Sequence, residues 1–369
     1  MERGELLNLA TNVATCSIDL EREGRHKEAV PLMQQAQGVS LTVASGLPAS
    51  VELRPRGQLP ELAHPEHILF RVGRGSLRMV GCDEGISQGV SRMRRLHLIG
   101  ALCGSAASMM PEGQSGDCIV DIGDGGDQGD YSRFAFSAAT GKAALLPDPF
   151  FFSSFGYDEL RKAVAVSAPA WRDRRDVIFW RGGASGLAAA WPAPGEPLDF
   201  NCLQRLSLCA KAARIGGAGR VDVGLTAFDQ ISREDIRDQI RAAGLVRETV
   251  PKSEFVFYRY LIDIDGNSNS WSLFEKLIMG AAILKVASPQ GFRQWYYDRL
   301  VPWEHFVPVA ADLSDFEDRV NWLFDHPAEA EKIGANAAEL ARSLNFQRVM
   351  LEAQARFSLG LVKSGMALV

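Results

Sequence analysis

The chain has 369 residues, too many for one ordinary hydrophobic core, so two α/β domains are the default expectation. An apolar fraction of 46% is that of a globular protein, and 35 glycines fit a fold with many turns. A net charge of −5 and an isoelectric point near 5.8 argue against bulk nucleic-acid binding, because a surface that tracks phosphates needs a basic excess.

Met1 to Gly4 leads into Glu5 with no apolar stretch and cleavage site behind a basic start, so no secretory signal is read, and no apolar run reaches membrane-spanning length. The six cysteines, Cys16, Cys82, Cys103, Cys118, Cys202 and Cys209, lack CxxC spacing and read as reduced, buried thiols in a cytoplasmic protein.

Glu5 to Gln37 holds two helical stretches around Glu23-Gly24-Arg25, a helical hairpin expected over residues 1–43. Its EREGRHKEAV segment resembles half of a tetratricopeptide unit, but a single unit cannot share a solenoid core, so the hairpin is expected to pack on the body or to offer a docking surface. Ala44 to Pro65 has several prolines and no period, and reads as a linker. His67 to Val80 reads as a β-hairpin across Gly73-Arg74-Gly75, and Val90 to Leu102 as a helix through Met93, Leu96 and Ile99.

Cys118 to Ile122 is a short buried strand that runs into Gly123-Asp124-Gly125-Gly126-Asp127. A carboxylate on a strand-end loop is a place where catalysis often sits, and it is equally the composition of a solvated Gly-Asp turn. Phe134 to Ser137 and Ala143 to Leu146 complete a first α/β domain, residues 44–165.

Residues 166–345 form the second. Val177 to Trp180 reads as a strand ending in Arg181-Gly182-Gly183-Ala184-Ser185-Gly186, where glycines let backbone approach a ligand and an arginine can fork onto a phosphate; a plain glycine turn has the same look. Leu203 to Ala213 and Ser232 to Ala243 are helical, the latter capped by Ser232. Phe255 to Ile264 is aromatic and β-branched and reads as a strand, and Asp265-Gly266 with Asn267 to Ser272 follows as a small polar loop. A helix opens with Ser272 and Glu275 at capping-box spacing and stops at Gly280, before a returning strand at Ala282 to Ala287. In such a βαβ unit the loop lies at the carboxyl edge of the sheet beside free N–H groups of the helix, which suits a diphosphate. Ser314 is expected to cap one later helix and Pro327 to open another; a last amphipathic helix lies in 346–369.

Three segments together carry a resemblance: Phe179 to Gly186 (FWRGGASG), Tyr258 to Leu277 (YRYLIDIDGNSNSWSLFEKL) and Ile283 to Trp322. In that combination the chain resembles family 90 glycosyltransferases, over roughly Cys118 to Leu344, and the bacterial, lipopolysaccharide-modifying branch above all. The resemblance implies an α/β fold of GT-B type, two Rossmann-like domains facing a cleft. It implies an inverting transfer from a UDP-sugar to a glycan or lipid-linked acceptor, with no cofactor and no metal. Arg181 then faces the diphosphate, Gly182 and Ser185 shape its loop, and Asp265, Gly266, Asn267, Asn269, Ser270, Trp271 and Ser272 form the donor-side loop. Asp124 stands where animal members carry their catalytic base. Animal members have an arginine where this chain has Ser272, so one phosphate contact falls to another residue, Lys276 or Lys285. Two other readings stand beside this one. Asp263 and Asp265 share a strand face and match the DxD metal motif of GT-A glycosyltransferases, and the hairpin with the missing arginine suggests a non-catalytic binding module. His305 reads as a packed residue at a strand start. No nucleic-acid partner or transmembrane segment is expected, and peripheral membrane contact stays open.

Overall fold

The computed structural model describes residues 2–60, 62–84, 89–123, 132–139, 141–188, 190–215 and 219–365. The chain divides into two compact units, Met1–Gly156 with Phe346–Val369, and Tyr157–Asn345.

In the first unit α1 (Arg3–Arg22) and α2 (His26–Ser45) form the expected hairpin. Ala10 and Ala14 close on Ala29 and Ala36, small residues that let the helices approach, with Met33 filling the space between them. The pair is packed, not free: Met93 of α3 (Gly89–Met109) joins the same cluster, and a Cβ on Gly104 of α3 would come 2.1 Å from the Ser45 carbonyl. The expected linker is a strand. β1 (Ala49–Arg54) pairs in parallel with β3 (Ser76–Cys82), which forms the expected hairpin with β2 (His67–Gly73). The prolines around it stand outside the strand, at Pro48 and Pro55, where no ladder donor is needed. β4 (Ser115–Asp121), β5 (Phe134–Ala135) and β6 (Ala144–Leu145) complete a mixed sheet of order β1-β3-β2-β4-β5-β6, and α4 (Pro149–Ser153) follows under an Asp148 cap. Among the cysteines Cys16 is an exception to the expected burial, lying exposed on α1.

The second unit begins with α5 (Asp158–Ser167) and is built on β7 (Arg175–Gly183), α6 (Gln204–Ile215), β8 (Val221–Ala227), α7 (Glu234–Ala242), β9 (Tyr258–Asp263), α8 (Leu273–Met279), β10 (Ala282–Val286) and β11 (Val307–Val309). It closes with α9 (Phe316–Asp325) and α10 (Pro327–Ser343), after which α11 (Phe346–Gly365) returns to the first unit. All strand pairs of its sheet are parallel, in the order β11-β10-β9-β7-β8. One face buries Ile178, Trp180, Tyr260 and Ile262, the other Phe179 and Leu261, as the alternation of a two-sided buried strand requires, while Tyr258, the first residue of β9, departs from that alternation and packs with Phe179 where the β7–β9 register shifts. Each such side chain contributes about 1.5–3 kcal/mol by leaving water.

β9 starts at Tyr258, later than expected, because Lys252–Phe257 is a 3-10 turn after Pro251. Gly280 ends α8 at φ +65°, and Arg174 donates to the carbonyls of Met279 and Gly280 at 2.9 and 3.2 Å, satisfying that helix end. Ser272 makes no side-chain cap, and Glu275 turns instead to Lys252 at 2.8 Å. Ser314 and Ser232 likewise stand one residue before their N-caps, Asp315 and Arg233, neither of which caps a backbone N–H of its helix; Asp315 instead accepts from Arg319 Nε, and Arg233 pairs with Asp235.

Candidate functional site

The strand order fixes where a ligand can sit on the second sheet. From β7 the chain moves outward to β8, then crosses back to lay β9 on the other side of β7 and continues to β10 and β11. The loops leaving β7 and β9 therefore diverge at their carboxyl ends, the switch point at which parallel α/β sheets open a crevice. Those two loops are the ones singled out from sequence: 184–186 after β7, and 264–272 after β9.

The two loops touch. A Cβ on Gly186 would lie 3.4 Å from the Gly266 carbonyl oxygen, and one on Gly266 would lie 3.0 Å from both Ser185 Oγ and Arg205 Nη2. Arg205, on the first turn of α6, ties them together: Nη1 donates to Gly183 O at 3.0 Å and Ser185 Oγ at 2.7 Å, while Nε donates to Asp265 O at 2.8 Å and Nη2 to Ile264 O at 3.3 Å. Burial lowers its affinity for the proton, but a guanidinium stays charged in proteins. Sequence reading missed it, since an arginine beside Leu203 and Leu206 looks like the solvated side of a helix.

Arg181 is placed elsewhere. Its guanidinium donates to Asp222 Oδ1 at 2.6 Å, to the carbonyls of Trp180, Asp222 and Glu248, and lies over the Phe179 ring. It thus braces β7 against β8 on the far side from β9. Gly182 beside it is held by close packing, a Cβ there meeting the Trp180 ring at 2.6 Å.

Within the donor-side loop the side chains divide. Asn267, Trp271 and Ser272 are half-buried at the surface, while Ser268, Asn269 and Ser270 are buried. Ser270 holds the loop shut: its N–H donates to Asp265 Oδ1 at 3.3 Å and its carbonyl accepts from Gln294 Nε2 at 2.8 Å. Among the described residues Asn269 Oδ1 and Nδ2, Ser268 Oγ, Gln294 Oε1 and Asp265 Oδ2 are buried without a hydrogen-bond partner, a concentration that the packing of the loop alone does not account for.

Lys276 is engaged with a buried carboxylate. It is 5% exposed and donates to the fully buried Asp263 Oδ1 at 2.8 Å, and Lys285 Nζ stands 3.7 Å from Asp263 Oδ2 under the Tyr297 ring. Burial works against ionisation of Asp263, but the two ammonium groups outweigh it and hold the carboxyl below its ordinary value. Asp265 has no such pair, and burial pushes its carboxyl up to about 6 against the pull of Ser288 and Lys285. His305 is packed, accepting the Val301 N–H at Nδ1.

On the first unit, Asp121 ends β4 and accepts the Gly123 N–H at 2.7 Å, and Arg95 of α3 donates to Ile122 O. Asp124, the expected base, lies outside the described residues, as do Asp127 and Asp130.

Comparison with known proteins bears on the second unit. Residues 204–351 match the family described as Glycosyl transferase family 90, a segment that includes Arg205 and the loop after β9 and leaves out the loop after β7. The chain is 29% identical over 195 residues to uncharacterized protein 027R of frog virus 3, covering 49% of this chain and 19% of that protein. It is 28% identical over 177 residues to protein O-glucosyltransferase 2 of Danio rerio, covering 48% and 30%. The chain thus spans less than a third of the length of these relatives. The family 90 resemblance is supported over this segment; its bacterial branch is not, these relatives being viral and animal. A crystal structure of Anabaena HepE in complex with UDP-glucose aligns at a TM-score of 0.35 and 10% identity, over 55% of this chain and 52% of that one, too slight a likeness to argue from.

Proposed function

We propose that the chain is an inverting glycosyltransferase that holds a UDP-sugar at the switch point of its second sheet and transfers the sugar to a hydroxyl. The observation that carries this reading is the joining of the loops after β7 and β9 by Arg205 at the carboxyl edge, within or beside the segment that matches the family. Gly182, Ser185, Gly266, Asn267, Trp271 and Ser272 line the surface offered to the donor, and Asp265, Asn269 and Ser270 hold its floor.

In the reaction the acceptor oxygen bonds to the anomeric carbon while the bond from that carbon to the UDP oxygen breaks, UDP leaving with the electron pair. One carboxylate, Asp124 in this reading, takes the acceptor's proton. No metal is required in this proposal. Of the two carboxylates of the DxD alternative, Asp263 is already neutralised by Lys276 and Lys285, which a divalent ion would have to displace. A GT-B arrangement, a cytoplasmic location and an acceptor of the lipopolysaccharide class belong to the same proposal, and the names of the animal relatives make a protein hydroxyl the acceptor to compare with it.

Calorimetry with UDP, UDP-glucose, UDP-galactose, UDP-xylose and GDP-mannose tests it. Binding of UDP and of at least one UDP-sugar, with slow hydrolysis of the latter in excess chelator, is expected. Absence of binding to any uridine diphosphate ends the proposal; binding without hydrolysis or transfer favours a binding module, and activity restored only by manganese or magnesium favours the DxD reading.

A further inference from the structure

We infer that the second unit carries a second ligand site, a cavity at the amino edge of its sheet that takes a small organic carboxylate with an aromatic body; this does not depend on the donor-site reading above. The cavity measures about 400 Å³, within the range of small-molecule sites, and lies between α5, the turn that leads into β7, the end of α8 and α10. Arg174, just before β7, and Gly280, just before β10, both border it, so it opens beside the first residues of these strands. The donor-side loops leave the last residues of β7 and β9, at the opposite edge.

The walls are apolar. Ile278 and Met279 from the last turn of α8 line it with Val164 of α5, Ala338 of α10 and the ring of Trp171. An apolar cavity of about 150 Å³ is filled by benzene, so this one accommodates two fused rings together with a head group.

The charge on the cavity selects the head. Arg161, Arg174 and Arg342 border it against one acid, Glu331. Arg174 carries the argument, because it bonds only to uncharged acceptors: Nε donates to Pro169 O at 3.2 Å, and Nη1 to the carbonyls of Met279 and Gly280. Among the described residues no carboxylate lies within ion-pair distance of it, and its Nη2 meets no acceptor. Burial presses against its charge, but a guanidinium keeps its proton. A half-buried cation without a counter-ion, set in an apolar wall, complements an anion with an apolar body through a charge-assisted hydrogen bond. The other charges do not cancel it. Asp158, which acts on Arg161 through space, is paired with Lys162 at 2.6 Å, and Arg342 with Glu339 at 2.5 Å. Glu331 is exposed, where water and salt screen it. With one guanidinium nitrogen left to donate and an acid at the rim, a singly charged carboxylate suits the site better than a phosphate dianion.

Calorimetry with 2-naphthoate tests this, in the wild-type chain, Arg174→Gln and Ala338→Leu, with UDP titrated into each and thermal midpoints measured alongside. Leucine is a good helix former, so Ala338→Leu fills the cavity without disturbing α10. Wild type should bind 2-naphthoate about tenfold or more tighter than 2-naphthylmethylamine, the same body with a cationic head. Arg174→Gln should weaken 2-naphthoate about ten- to hundredfold and Ala338→Leu about tenfold or more, with UDP affinity within about twofold in both. Should Arg174→Gln fail to fold, since Arg174 also closes the end of α8, Ala338→Leu and the amine decide alone. No binding of 2-naphthoate up to about 1 mM, equal affinity for the amine, or unchanged affinity in Ala338→Leu overturns the proposal. Displacement of 2-naphthoate by saturating UDP overturns it as well, by moving the ligand to the donor-side loops, and tighter binding of 2-naphthyl phosphate overturns the choice of head. If wild type binds 2-naphthoate as expected and no UDP, the donor-site reading falls and this one stands.

Discussion

Lys276 and Asp263 form an ion pair of 2.8 Å with both side chains out of water, joining the first turns of α8 to the last residue of β9 beneath the donor-side loop. Removing Lys276 takes away the hydrogen-bonded cation and leaves the buried Asp263 with Lys285 alone, 3.7 Å away. Lys276→Met is expected to cost about 3–5 kcal/mol in urea unfolding, whereas Lys276→Met with Asp263→Asn should recover at least half of that loss. A double variant as unstable as the single one would mean that the two charges do not depend on each other.

Asp265 gives a pH dependence of determined sign. Its carboxyl is raised from 3.8 to about 6 by burial, so the folded chain holds a proton there that the unfolded chain has released. Stability therefore falls as pH rises from about 4 to about 6, and the cost is complete above that window, on the order of 3 kcal/mol. Asp265→Asn should flatten this part of the profile. The measurement is the denaturation midpoint of both proteins between pH 4 and 8, and parallel profiles would remove Asp265 as the cause.

Arg181 and Asp222 bind each other across β7 and β8, which makes a further comparison decisive. If the arginine serves mainly as a brace, Arg181→Ala and Asp222→Ala should each lose about 1.5–3 kcal/mol of stability, the range for a hydrogen bond to a charged group, and change UDP affinity by less than about threefold. A tenfold or greater loss of UDP affinity in Arg181→Ala alone would return the diphosphate to Arg181, as the resemblance implies.

The βαβ unit around the donor-side loop was legible because each of its signals is local: aromatic and β-branched residues to Ile264, small polar residues to Ser272, an apolar helix face and Gly280. The packing of the helical hairpin and the β2–β3 hairpin were readable for the same reason. β1 was not, because its burial is intermediate along most of its length and its partner β3 is supplied from further along the chain. The roles of the cations were hidden too. Whether Arg181, Arg205 or Lys276 faces a ligand depends on Asp222, Gly183 and Asp263, contacts between segments that spacing does not encode.

Asp124 carries the remaining step of the proposed chemistry. An inverting transfer needs a single base on the face opposite the departing UDP, with no second carboxylate acting as nucleophile. Asp121 is poorly suited: it is the last residue of β4, buried, and its Oδ1 already accepts the Gly123 N–H at 2.7 Å. In the sequence Asp124 comes directly after Gly123, the residue whose N–H Asp121 accepts. Asp124→Asn keeps the side-chain shape and removes its basicity, so turnover with a UDP-sugar should fall by about a hundredfold to ten-thousandfold. UDP affinity should stay within about twofold, since the base touches the acceptor and not the nucleotide. Single-turnover kinetics alongside calorimetry measure both quantities. Near-normal turnover in Asp124→Asn, with activity lost instead in Asp121→Asn or Asp127→Asn, would move the base to that residue.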